Sequence, residues 1–168
     1  MRYFSAHATW LPDPYRRHRA YVAALRATGV ECVMGYFKEK DRGCKACGAT
    51  WVAHEEKETD VNIGLYMLDA AYQNEYDRAL LISADSDLVP VLRLIRDRFP
   101  RKGLRVIAPP GRRQSKELVS ALAPRPHLDQ IKRSDLVKCR LPEKVVDASG
   151  AVRATCPVEY SRPMPRRP

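Results

Sequence analysis

The sequence has no apolar run near the roughly 18 residues that cross a bilayer, so we expect a chain without a membrane span. Its first residues also lack the basic start, apolar stretch and small-residue cleavage site of a secretory signal, which predicts a cytoplasmic location. With 168 residues, 45% of them hydrophobic, the chain is long enough for one globular domain with its own core.

Cysteine is scarce, and its count of five is odd, so a disulfide framework is not expected. Cys44 and Cys47 form the one patterned pair, and a Cys-x-x-Cys turn can present two thiolates to one Zn²⁺. Two ligands are only half of such a site, and no spacing selects the others among His54, His18, Cys32 and Cys139. The alternative is a reduced loop with two thiols.

Histidine is scarce too, and the four residues form no recognisable pair: His7, His18, His54 and His127. No Ser-His-Asp or Cys-His arrangement follows from the spacing. Acyl-transfer chemistry therefore has no support in the sequence.

Positive charge is unevenly distributed along the chain. Residues 1–100 carry 14 basic and 14 acidic side chains, whereas residues 101–168 carry 16 and 6, so the net charge of +10 lies in the second part. This charge would attract a polyanion such as RNA or DNA, although a solvated basic tail accounts for it equally well. Because residues 142–168 are rich in proline and poor in large apolar residues, we expect them to be a mostly disordered tail.

Strand-like and helical segments alternate before that tail. Apolar or β-rich runs predict strands at 2–6, 30–37, 79–83 and 103–108, and helical patterns fall at 14–28, from 59, from 88 and at 115–122. Such alternation is typical of parallel strands joined by right-handed crossovers. We expect a three-layer α/β domain over residues 1–141, with a mostly parallel sheet and a charged, Cys-bearing insertion at about 38–57.

Three aspartates are candidates for a metal site. Asp85 and Asp87 directly follow a predicted strand, and ligands of open parallel sheets bind beyond the carboxyl ends of the strands. Asp60 opens a crossover helix, whose start lies on that same side of a parallel sheet. Carboxylates are the ligands that Mg²⁺ and Mn²⁺ prefer. The alternative is that Asp87 or Ser86 only caps the following helix and that Asp60 only complements its helix dipole.

A basic turn is the candidate phosphate contact. Gly111-Arg112-Arg113-Gln114-Ser115-Lys116 combines three cations with the amide groups of a helix start, with Ser115 as the cap. An ordinary basic turn is the alternative.

Several of these segments resemble the NYN family of PIN-like nucleases, in its bacterial branch. The resemblance lies in the stretches 56–63 and 81–90, and also in Arg2-Tyr3-Phe4, the Cys44–Cys47 knuckle before Trp51, and residues 110–118. It covers about residues 1–140 and implies a PIN-like fold, an acidic Mg²⁺ or Mn²⁺ site, and hydrolysis of RNA phosphodiesters. Asp60, Asp85 and Asp87 match the acidic positions of the family.

The resemblance also carries one departure, because members of the family usually open with a further, central strand whose Asp and Asn complete the acidic site. The sequence given begins where the second strand of the family begins. We therefore expect an N-terminally incomplete domain that is poorly stable alone, since a missing central strand leaves buried backbone groups unpaired.

Two further classes of function compete with a metal-dependent ribonuclease. One is an inactive RNA-binding PIN-like module, whose affinity would depend on salt but not on metal. The other is an interaction protein that carries zinc on Cys44 and Cys47.

Overall fold

A computed structural model describes residues 1–113, 115–123 and 128–161. Gln114 of the predicted basic turn, His127 and the end of the predicted tail, 162–168, lie outside the described residues. The chain divides into two compact units. Met1–Thr59 and Leu141–Pro168 form unit 1, and Asp60–Arg140 form unit 2.

Unit 1 begins with a three-stranded sheet in the order β1-β2-β3 and one helix. Its elements are β1 (Arg2–Ala6), α1 (Pro12–Ala27), β2 (Glu31–Gly43) and β3 (Thr50–Lys57). β1 and β2 pair in parallel through residues 2–6 and 31–35, as the alternation of elements predicts.

The helix α1 follows from local sequence signals at both of its ends. It starts with Pro12 in its first turn, where the fixed φ of proline suits a helix and the missing N–H is not needed. Asp13 lies in that turn, and the residue at the cap position is Leu11, which makes no side-chain cap bond. Gly29, just past the end of the helix, adopts the left-handed conformation with φ of 81°, which is typical of a residue that stops a helix.

The predicted insertion at 38–57 is an antiparallel ribbon in the structure. β2 continues past its pairing with β1 and then pairs with β3, from Tyr36 opposite Lys57 to Gly43 opposite Thr50. In this ribbon Glu55 accepts hydrogen bonds from Lys57 and Arg42, and these bonds lower the pKa of its carboxyl to about 2. Arg42 pairs with Glu55 across the two strands and Lys57 pairs with it along the same strand, so opposite charges support a segment whose composition alone looks like a loop.

Gly35 lies where β2 changes from one partner strand to the other, and the approach of the backbones is close there. A Cβ at this position would lie 2.4 Å from the carbonyl oxygen of Lys57. We expect Gly35→Ala to destabilise unit 1 by about 1–3 kcal/mol, because a backbone carbonyl must move.

The matched control for this prediction is Gly43→Ala on the same strand, where the nearest atom would be 4.0 Å away. Denaturant unfolding followed by tryptophan fluorescence measures both variants, since Trp10 and Trp51 both lie in unit 1. Equal midpoints for the two variants would show that Gly35 is not at a tight approach.

The segment after residue 141 differs from the predicted disordered tail as far as residue 161. It forms a hairpin of β7 (Lys144–Val146) and β8 (Val152–Thr155), followed by the short helix α6 (Val158–Ser161), and the hairpin lies against α1. The Asp147 carboxylate in the turn accepts hydrogen bonds from Ser149 and Ala151 and pairs with Arg153, and these donors hold its pKa well below the usual range. The composition of the segment does not predict this hairpin, because the hairpin depends on one buried residue, Val145, and on the hydrogen bonds of Asp147 in its turn.

Unit 2 alternates helices with three parallel strands, in the sheet order β4-β5-β6. Its elements are α2 (Thr59–Tyr72, which starts at the last residue of unit 1), β4 (Arg78–Ile82), a 3₁₀ turn (Ser86–Leu88), α3 (Val89–Arg98), β5 (Gly103–Ala108), α4 (Lys116–Ala121), β6 (Leu128–Gln130) and α5 (Arg133–Lys138). The core of this unit lies between the sheet and the helices α3 and α4. Its buried residues are Leu81, Leu88, Val89, Leu92, Val106, Leu118, Ala121 and Leu122.

The prediction of a mixed α/β fold is confirmed, but the prediction of one mostly parallel sheet is wrong in detail. The described residues form a mixed sheet in unit 1, a parallel sheet in unit 2 and a separate hairpin. The difference arises because β2 is longer than the sequence predicts and takes β3 as an antiparallel partner. Within the described part of the chain, no helix combines the length and the apolar character that a membrane span needs.

Candidate functional site

The carboxyl edge of the sheet in unit 2 carries most of the predicted site. β4 and β5 are parallel neighbours in register from Arg78 opposite Gly103 to Ile82 opposite Ile107, and the pairing extends to a hydrogen bond from the Ser83 N–H to the Ile107 carbonyl. The loops that follow the two strands therefore leave the sheet at the same edge. One loop contains Asp85 and Asp87, and the other contains the basic turn.

Asp85 and Asp87 are brought together in a tight turn. The Asp85 N–H donates to the Ser83 hydroxyl at 3.1 Å, and Asp85 Oδ1 accepts from the Asp87 N–H at 3.0 Å. Asp85 thus caps the 3₁₀ turn, whereas the sequence offers Asp87 or Ser86 as the alternative capping residue. Both aspartates are exposed, while the next residue, Leu88, is fully buried and anchors the turn in the core.

Asp60 lies in the first turn of α2, and two observations relate that turn to the same edge. α2 ends at Tyr72 and β4 begins at Arg78, so the short connection places the end of the helix near the start of the strand. Further along α2, a Cβ at Gly64 would lie 3.8 Å from the Cβ of Val91 in α3, the helix that follows the aspartate turn.

The carboxylates do not form a closed cage. No group of three or more His, Cys, Asp or Glu side chains able to hold a metal ion occurs among residues 1–113, 115–123 and 128–161. A protein often binds Mg²⁺ through only one or two carboxylates, and water and substrate phosphates provide the other ligands. Asp85 and Asp87 would be enough protein ligands for such a hydrated cation, and a metal site at these aspartates, with or without Asp60, stays a prediction.

The basic turn follows β5 and is open to solvent. Gly111 has φ of 76°, and both Arg112 and Arg113 are exposed. The Ser115 hydroxyl accepts a hydrogen bond from the Leu118 N–H at 3.1 Å, which confirms Ser115 as the cap of α4. Lys116 is the first residue of that helix and is also exposed, so three exposed cations follow β5 at the sheet edge that also carries the aspartate turn.

Cys44 and Cys47 lie in the turn that closes the β2–β3 ribbon. The Cys44 N–H donates to the Ala49 carbonyl at 2.8 Å, and the Gly48 N–H donates to the Cys44 carbonyl at 2.9 Å. Hydrogen bonds from the backbone of Cys47 and Ala46 and from the Cys47 thiol lower the pKa of the Cys44 thiol. The turn therefore favours a thiolate at Cys44.

A contact between His7 and His18 in unit 1 is not predicted by the sequence. Their Nδ1 atoms are 3.3 Å apart, and the Tyr3 hydroxyl is 3.3 Å from His18 Nε2. Burial is the main cause that lowers the pKa of both histidines. No spacing signals this pair, because His7 follows β1 while His18 lies in the middle of α1.

One comparison with known proteins supports the family resemblance that the sequence motifs indicate. The family model described as NYN domain matches residues 3–123, which is most of the chain. No curated protein and no solved structure shows a significant match to the chain.

Proposed function

This chain belongs to the NYN domain family of PIN-like nucleases, and on that premise we propose that it is a metal-dependent endoribonuclease with the PIN-like three-layer fold. RNA is its substrate, and Mg²⁺ or Mn²⁺ is its cofactor. One observation carries the proposal: Asp85 and Asp87 stand together on the loop after β4, at the same sheet edge as the exposed arginines after β5.

The aspartates are the proposed metal ligands. Asp85 uses Oδ1 for the turn, which leaves Oδ2 for a cation, and Asp87 offers its carboxylate beside it. Asp60 is the proposed third carboxylate, which holds a water of the hydrated ion or binds it directly. A bound Mg²⁺ or Mn²⁺ supplies the activation of a water molecule and the neutralisation of charge on the phosphate during in-line attack.

The basic turn is the proposed contact for the RNA backbone. Arg112 and Arg113 can form paired hydrogen bonds with phosphate oxygens, and Lys116 adds a point charge. Ser115 keeps its capping bond to the Leu118 N–H while its own O–H is able to donate to a phosphate oxygen. Positive charge after residue 100 adds attraction that does not depend on RNA sequence.

A second candidate function is the inactive RNA-binding module. It is favoured by the lack, within the described residues, of a closed group of three metal-binding side chains. The basic turn would bind RNA without any contribution from the aspartates. A cytoplasmic location belongs to both proposals and is supported by the five cysteines, all of which are free.

One assay separates the two functions. Labelled single-stranded RNA is incubated with the full chain and Mn²⁺, with and without EDTA, while binding is measured in parallel at several salt concentrations. The nuclease predicts turnover that EDTA abolishes and affinity that weakens with salt. Arg112→Ala and Arg113→Ala should each reduce the salt slope by about one, because each removes a cation that neutralises one phosphate. Binding that EDTA does not affect, without any cleavage, would instead support the inactive module.

A further inference from the structure

The tip of the β2–β3 ribbon is an incomplete metal site. Cys44 and Cys47 are carried on one turn, which is closed by the hydrogen bonds from the Cys44 N–H to the Ala49 carbonyl and from the Gly48 N–H to the Cys44 carbonyl. Gly48, directly after the pair, has φ of 72°, a left-handed conformation that glycine adopts without strain and that lets the chain turn back. A structural zinc site needs four ligands in a tetrahedron, and this turn provides two of them.

The other candidate ligands within unit 1 do not complete the site. His54 stands on β3 opposite Glu39, about 13 Å along the strand from the turn, and its ring is stacked on Trp10 at 3.6 Å. Cys32 pairs with Tyr3 near the start of β2, about 35–40 Å along the strand from the tip. His18 is held beside that same Tyr3. No third metal-binding side chain joins the pair anywhere in the described residues.

The ribbon tip is also free to meet another molecule. Residues 39–43 of β2 and 50–52 of β3 are all exposed, so the outer part of the ribbon lacks packing on either face. Trp51 and Val52 are both about half exposed, with 52% of their surface accessible. A two-stranded ribbon is only marginally stable in water on its own. A bound metal and a second protein surface would therefore stabilise the tip.

We propose that two copies of this chain join tip to tip, with Cys44 and Cys47 of each copy binding one shared Zn²⁺. A two-fold axis through the metal supplies the missing pair of thiolates from the same turn, without any other partner. Four thiolates around Zn²⁺ leave two negative charges, and the exposed Lys45 of each copy offsets them. The exposed Trp51 side chains widen the contact beyond the metal.

The test measures zinc content and molecular mass of the full chain under reducing conditions, by metal analysis and light scattering. The expected result is one Zn²⁺ for two chains and a mass that halves when a strong chelator removes the metal. Cys47→Ser should abolish both zinc binding and the dimer. Cys139→Ser is the matched control, because Cys47 and Cys139 are both free and exposed, and it should keep both properties.

The ligand set has its own measurement. Replacement of zinc by Co²⁺ should give the absorption spectrum of a site with four thiolates in the dimer. A monomer with one zinc per chain, a chain without zinc, or a dimer that persists in Cys47→Ser would overturn the proposal. None of these results depends on RNA cleavage, so the shared zinc site and the nuclease succeed or fail separately.

Discussion

Replacement of Asp85 by asparagine should reduce RNA cleavage by about a hundredfold or more, because a metal ion contributes several kcal/mol to stabilisation of the transition-state charge. Asparagine keeps an oxygen that accepts the hydrogen bond of the Asp87 N–H, and it caps helical turns as well as aspartate does. The variant therefore removes the negative charge while it leaves the turn intact. Initial rates of cleavage in Mn²⁺, together with the melting temperature, measure the two effects separately.

Asp69→Asn is the matched control for this variant. Asp69 is an exposed aspartate on the same helix as Asp60, but at its opposite end. It should cleave RNA at the wild-type rate. If Asp85→Asn and the control cut RNA equally well, the aspartate turn is not the metal site.

The second large effect is on stability. Leu92 in α3 is fully buried and belongs to the core of unit 2 with Leu88 and Val106. Leu92→Ala should lower the free energy of unfolding by about 2–5 kcal/mol, through reduced transfer energy and the cavity left behind. For a chain of this size, such a loss lowers the melting temperature by about 10 °C.

The control for the core prediction is Leu65→Ala, because Leu65 is a leucine on α2 that is 60% exposed. Thermal unfolding followed by circular dichroism is the suitable measurement, since both tryptophans lie in unit 1 and report on unit 2 poorly. Leu65→Ala should change the melting temperature little. A similar loss in both variants would mean that Leu92 is not part of a packed core.

The sequence predicts helices and strands correctly where a capping or helix-ending residue coincides with the apolar pattern. β5 has the predicted bounds of Gly103 and Ala108, and α4 begins directly after its predicted cap, Ser115. Gly29 ends α1 as its left-handed conformation requires. These elements depend on neighbouring residues only, so the sequence contains all the information that they need.

Periodicity was less informative for α2, because this helix is apolar on several faces. The spacing predicts one apolar face at Val61, Leu65, Leu68 and Tyr72. Three of these residues are exposed and Leu68 is half-buried, whereas Ala70 and Ala71 are buried. A helical period identifies a face only when the opposite face is polar. The structure alone selects which face of α2 meets the core.

The site could be predicted in part for the same kind of reason. Asp85 and Asp87 are predicted because ligands of parallel sheets bind beyond the carboxyl ends of the strands, and the basic turn is predicted from its cations at a helix start. The pairing of His7 with His18 and the continuation of β2 into the ribbon depend on contacts between distant segments. No local pattern encodes such contacts.

The most direct test of the central claim locates the metal itself. Fe²⁺ takes the place of Mg²⁺ in the full chain, and ascorbate with peroxide then generates radicals that cut the backbone close to the bound ion. Fragment masses place each cut, and competition with Mg²⁺ distinguishes an oxygen-ligand site from the thiols of Cys44 and Cys47. We predict cuts around residues 85–87 that Mg²⁺ suppresses and that Asp85→Asn lacks. Cuts confined to other segments, or cuts at 85–87 that persist in Asp85→Asn, would contradict the proposed metal site.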